Sequence, residues 1–212
     1  MDFILTDFNI VIIANAHNPS IISPDFLKHN EIVNADLKPI DVLCTPPFSQ
    51  IRYDDNITIV IDQERLNISD LKESRIPLES PIPRIALRYM NVLKYVPYKA
   101  VGINFKGFYD FSHMPPEHFL LNRFIKDAPE LDGVQPGIGL KFNYKMDNFI
   151  HNLELEPATI TRKKEKRSFP GLSIRGNFHY DQRQDLEGIS EFVNTYGALY
   201  DTLIRTLTKI FG

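Results

Sequence analysis

The chain has 212 residues, 43% of them hydrophobic, enough to bury a core that removes roughly 70% of the unfolded surface from water. Its 24 basic and 27 acidic side chains leave a formal charge of -3, which argues against binding nucleic acid through overall charge and leaves that role to a local basic patch. One cysteine, Cys44, excludes an intramolecular disulfide and a cysteine-built zinc site, and fits a reducing, cytoplasmic setting.

In chain order, MDFILTDF carries Asp2 and Asp7 with no basic region, which does not read as a signal peptide. No apolar run approaches the ~20 residues that span a bilayer. Residues 3–16 read as a strand whose two faces both carry apolar side chains, a pattern of burial on both sides. Asn18 precedes Pro19 and is turned away from helical geometry. Ser23, Pro24 and Asp25 then make a helix start, with a capping hydroxyl, a proline at the first position and an acid in the first turn. Residues 31–47 look irregular. Asp54-Asp55-Asn56 separates two β-rich runs as a hairpin turn does, and 70–81 reads as a polar loop. A helix follows with Ser80 as cap and Ile82, Ile85, Tyr89, Val92 and Leu93 as its apolar stripe.

Residues 98–111 form a strand with Val101, Ile103, Phe105 and Tyr109 on one face, and small residues on the other that let another element approach. A short helix is expected over 115–126. Clean alternation marks strands over 138–146, 149–160 and 171–181. The last pattern is the strongest. Apolar residues recur at helical spacing from Leu186 to Ile210, in one long helix that carries Gly188 and Gly197 at roughly 1 kcal/mol each. Gly197 is expected to mark a close contact. The sum is an α+β fold: a mostly antiparallel, curved sheet of about seven strands packed on a long C-terminal helix. It is a single domain over 1–212, with a pseudo-repeat of halves 1–112 and 113–212 as its candidate internal organisation.

IALRYMN (Ile85–Asn91) and the pairing of LSIRGNFHYD (Leu172–Asp181) with a long helix resemble a family of sporadically distributed bacterial proteins with no established function. The resemblance implies an antiparallel α+β fold with two related halves and carries over no catalytic residue. Seven strands against a terminal helix are also similar to helix-grip ligand-binding proteins, although the helices at 82–95 and 115–126 depart from that pattern.

Asp110, His113, Glu117 and His118 crowd one stretch, but two prolines interrupt the His-x4-His spacing, and a zinc site wants two histidines one helical turn apart. The plainer reading is a polar strand-to-helix turn. Asn15 and His17 could meet Asn104 in a small ligand pocket between the sheet and the terminal helix, against the plainer view that they satisfy backbone groups. His151 reads as a hydrogen-bonded core histidine. Arg162, Lys163, Lys164, Lys166 and Arg167 make a basic loop able to grip phosphates, with Lys141, Lys145 and Arg175 on neighbouring strands to extend it. The competing role is a solvated turn that discourages edge aggregation. There is no phosphate loop, no GxSxG elbow, and GVQPGIG leads into a strand, so it cannot aim a helix at a pyrophosphate.

No catalytic set and no metal or cofactor site is assigned. The leading expectation is a non-catalytic accessory or adaptor subunit of a bacterial complex. It would bind another protein or itself through its abundant Tyr and Phe. Nucleic-acid binding through 162–167 and a ligand pocket, enzymatic or not, are the alternatives.

Overall fold

The computed structural model describes residues 3–125, 137–162 and 167–212, with the side chains of Arg162 and Arg167 left aside. Nine strands form one antiparallel sheet: β1 (Ile4–Ala14), β2 (Pro39–Cys44), β3 (Phe48–Tyr53), β4 (Ile57–Asp62), β5 (Arg65–Asp70), β6 (Tyr98–Asp110), β7 (Leu140–Lys145), β8 (Ile150–Arg162) and β9 (Arg167–Tyr180). Their spatial order is β2-β3-β4-β5-β1-β6-β9-β8-β7, so β1 and β6 lie inside the sheet and β2 and β7 form its edges. The five helices are α1 (Pro24–His29), α2 (Ile82–Val92), α3 (Pro116–Phe124), α4 (Leu186–Asn194) and α5 (Tyr196–Phe211). None is long and apolar enough to cross a membrane.

The described residues form nine strands and not seven, for two local reasons. Residues 39–44, expected to be irregular, pair with β3. The run from Ile57 to Ile68 folds back on itself at Gln63-Glu64, where one carboxylate oxygen of Asp62 accepts the backbone N–H groups of Glu64 and Arg65 at 2.8 Å each. Asn56, at φ 61°, closes the three-residue turn between β3 and β4; asparagine tolerates that left-handed geometry better than most residues. The capped start of α1 forms as expected, with Phe26 N–H donating to Ser23 Oγ at 3.1 Å.

The helices lie on one face of the sheet. Phe8, Ile10 and Ile12 of β1, Ile103 and Phe105 of β6, Leu172, Ile174 and Phe178 of β9, and Leu153 and Leu155 of β8 are buried on that face. Tyr196 stacks on Phe8 and Tyr200 meets Phe105 with ring centres 5.2 Å apart. Leu203 lies over Gly176, where a Cβ would come within 3.0 Å of it. The other face of β1 is only half-buried, because Asp7, Asn9, Val11 and Ile13 have no helix over them. The expectation of burial on both sides therefore fails: the alternating apolar residues are real, but the helices all lie on one side.

The single helix expected from 186 to 210 is two. At Thr195 the backbone leaves helical geometry (φ -83°, ψ 0°), and both its N–H and its hydroxyl turn back to the carbonyl of Phe192, the hydroxyl at 2.7 Å. Helix α5 restarts from the carbonyl of Thr195, which accepts from Leu199 N–H. Two residues on, Gly197 provides the clearance its composition suggested; a Cβ there would sit 3.1 Å from Leu78.

Candidate functional site

The uncovered face carries a feature that no local pattern announces. Register places Asn9, Asn104, Asn177, Asn152 and Asn143 side by side on β1, β6, β9, β8 and β7. Their side chains form a chain of hydrogen bonds with a single direction. Asn143 donates to Asn152, Asn152 to Asn177 at 3.0 Å, Asn177 to Asn104 at 2.6 Å, and Asn104 to Asn9 at 2.8 Å; Asn9 then donates to the Asp7 carboxylate at 3.1 Å. Each amide is held by its neighbours, so the row is ordered before any ligand arrives.

A second row runs beside it. Asp7, Lys106, Arg175, Glu154 and Lys141 are in register on the same five strands. Glu154 draws Lys141 to 2.9 Å and Arg175 to 3.6 Å, and Arg175 also reaches Glu156 at 3.6 Å. Burial pushes the Asp7 carboxyl above the usual carboxylate range, against the opposing pull of Asn9 and Lys106. The two rows line a depression of about 410 Å³, with Asp7, Asn104, Lys106, Glu154, Arg175 and Asn177 in its floor and walls. That volume lies within the range of small-molecule sites.

Of the residues singled out in the sequence, Asn104, Lys141 and Arg175 lie here and the others fall elsewhere. Asn15 is exposed at the end of β1. His17 is buried on the helix side, its Nδ1 3.0 Å from Tyr89 Oη and its Nε2 3.3 Å from the Ile12 carbonyl. Asn104 belongs to the ladder, so the structure does not bring these three together. A cavity of about 640 Å³ does lie beside the α4–α5 junction, lined by Phe149, Tyr180 and Phe192, but Asn15, His17 and Asn104 do not reach it. Its one cation, Arg183, is taken up by Asp185, Glu187 and Glu191.

The basic loop closes the β8–β9 hairpin, where Arg162 pairs with Arg167 in the backbone; Lys163, Lys164 and Lys166 lie outside the described residues. Arg175 is eight positions along β9 from Arg167, roughly 26 Å at strand spacing, and is held by acids with Lys141. Those two therefore do not extend a basic patch toward the loop. His113 and Glu117 line a third depression, and among the described residues no three His, Cys, Asp or Glu side chains gather as a metal site would require. His151 is buried between Tyr144 and Phe178 with Nε2 unpartnered among the described residues, so the hydrogen bond expected of a core histidine is not seen at that nitrogen.

The ladder was missed because asparagines at positions 9, 104, 143, 152 and 177 share no sequence spacing. The available signal was weaker: each is the lone amide of an alternating strand, at a position facing away from the apolar set. The chain matches no family model, and a search of curated proteins returns no match.

Proposed function

We propose that the chain is a non-catalytic accessory subunit that binds an extended segment of a partner protein along edge strand β2. Support comes chiefly from one observation. All six residues of β2 are exposed, and three of them are large and apolar, Ile40 at 62%, Val42 at 47% and Leu43 at 50%. An exposed apolar edge is a template for strand addition, and native sheets ordinarily blunt such edges with charge or cover.

The hydrogen-bond phase of the hairpin tells which groups are free. Thr45 and Phe48 exchange both backbone hydrogen bonds. Bonded and non-bonded pairs alternate along an antiparallel ladder, so Leu43 faces Gln50 in a bonded pair, while Val42 and Cys44 turn their N–H and C=O groups outward. A Val42→Pro change removes an outward donor and leaves the β2–β3 ladder intact. Wild-type protein is expected to retain a partner from native extract that the V42P variant loses, with amide exchange protection gained at 39–44. A partner kept equally by both, or protection confined elsewhere, sinks the reading. Protection at 39–44 in the purified protein alone would make the partner a second copy.

The bacterial and cytoplasmic setting rests on the resemblance of Ile85–Asn91 and Leu172–Asp181 and on the lone cysteine. We also read the sheet as two related halves meeting at β1 and β6. Each half runs from a central strand through a short helix to a meander whose last strand pairs with the first, then into a helix. On this reading the boundary lies before Tyr98 and not at 112. The first half has five strands and the second four, β2 being the extra one; failure of β1, β5, β4 and β3 to superpose on β6, β9, β8 and β7 would dismiss it.

A further inference from the structure

We infer that the asparagine row and the charged row beside it form a binding site for a neutral, polyhydroxylated chain, that is, a linear glycan. Each rung keeps hydrogen-bonding capacity that its neighbours do not use. A carboxamide has two N–H donors and an oxygen with two lone pairs. Asn104, Asn177 and Asn152 each give one N–H and accept one hydrogen bond within the ladder, so one donor and one acceptor remain at each. A hydroxyl is likewise both donor and acceptor, and neighbouring hydroxyls of a sugar ring offer that combination side by side.

Spacing favours a long ligand. Adjacent strands lie ~4.8 Å apart, so the row from Asn9 to Asn143 spans ~19 Å. An extended peptide repeats its same-face groups only every ~6.7 Å and would fall out of step within two rungs. The amides are already fixed by one another on strands, so little side-chain freedom is lost on binding. Beside them Gly102 leaves bare backbone; a Cβ there would sit 3.5 Å from the Asn177 amide nitrogen and 3.7 Å from that of Asn104.

Charge and shape exclude the other polymers. Lys141 and Arg175 are engaged by Glu154 and Glu156, and Lys106 stands opposite Asp7, so each cation of the row faces an acid and none is set apart for phosphates. The ladder carries no aromatic ring on which a base could stack. Cleavage of the glycan is excluded for the two carboxylates of the row. Asp7 and Glu154 stand three strand spacings apart, ~14 Å, and glycosidase pairs need about 5–9.5 Å.

The test uses the whole chain on an array of neutral linear glycans, followed by titration of the best-retained glycan while the asparagine side-chain amide resonances are observed. Wild-type protein should retain at least one glycan and shift the amide signals of the row. The Asn104→Ala/Asn177→Ala double variant, and the milder Asn152→Ala alone, should weaken binding tenfold or more, which is about 1.4 kcal/mol. V42P should bind as wild type does, so failure here and failure of the edge-strand reading are separable. Retention of no neutral glycan, unchanged affinity in both ladder variants, or preferential binding of inorganic phosphate or a thymidine oligonucleotide overturns the inference.

Discussion

His151 stacks on Phe178 with ring centres 4.1 Å apart, and burial pushes its pKa down to about 4. The unfolded chain takes up a proton near the ordinary pKa of 6.5, whereas the native state resists until about 4. Stability should therefore be flat above pH 6.5 and fall between pH 6.5 and 4, by up to ~3 kcal/mol from this residue. His17, lowered in the same direction by burial, adds to the slope. Urea midpoints measured across pH should show a shallower acid decline in His151→Phe; an unchanged slope would mean that His151 is not the group responsible. A second residue-scale expectation concerns Asp70. It accepts from Arg75 at 2.8 Å and from Ser80 at 2.6 Å, with the Asp70 and Arg75 side chains both buried. Asp70→Ala leaves the guanidinium paired with Asp55 but strips Ser80 and the Lys72 N–H of their acceptor, and should cost about 1–3 kcal/mol in denaturant unfolding. That cluster, and not turn chemistry alone, ties down the loop that the sequence shows only as polar.

At the scale of elements, strand pairing depends on positions with no room for a side chain. A Cβ at Gly107 would fall onto the Ile4 carbonyl oxygen and within 2.6 Å of the Phe3 ring. Backbone cannot yield as a side-chain tip can, so Gly107→Ala should destabilise by at least the ~1–3 kcal/mol typical of overpacking, read from the thermal midpoint. The break between α4 and α5 is a case where periodicity and hydrogen bonding disagree. Apolar spacing runs through Thr195 without interruption, because both helices rest on the same floor. The Thr195 hydroxyl nevertheless takes a carbonyl that an unbroken helix would use. Periodicity reports which face is buried and is silent on whether the axis is continuous.

For the molecule as a whole, one apolar face of the sheet is closed by helices, and much of that closure comes last in the chain. Leu199, Leu203 and Leu207 of α5 are buried against it, each contributing roughly 1.5–3 kcal/mol. Ending the chain at Thr195 should bare Phe105 and the surface beside Gly176, and produce dye-binding, loosely packed or associating protein; a compact two-state monomer would show that α5 is dispensable. The opposite face and the β2 edge stay open, and the two proposed binding surfaces lie there.

Sequence alone determined the class, the antiparallel character, the apolar face of β6, β8 and β9 and the cap of α1, because alternation and capping are local and each is written within a few residues. Tertiary structure alone decided that one face of β1 stays open, that residues 39–44 complete an edge, and that five asparagines far apart in the chain form a single hydrogen-bonded row. The physical reason is register. A strand records which of its side chains point together, but only pairing with its neighbours fixes which side chains stand opposite one another.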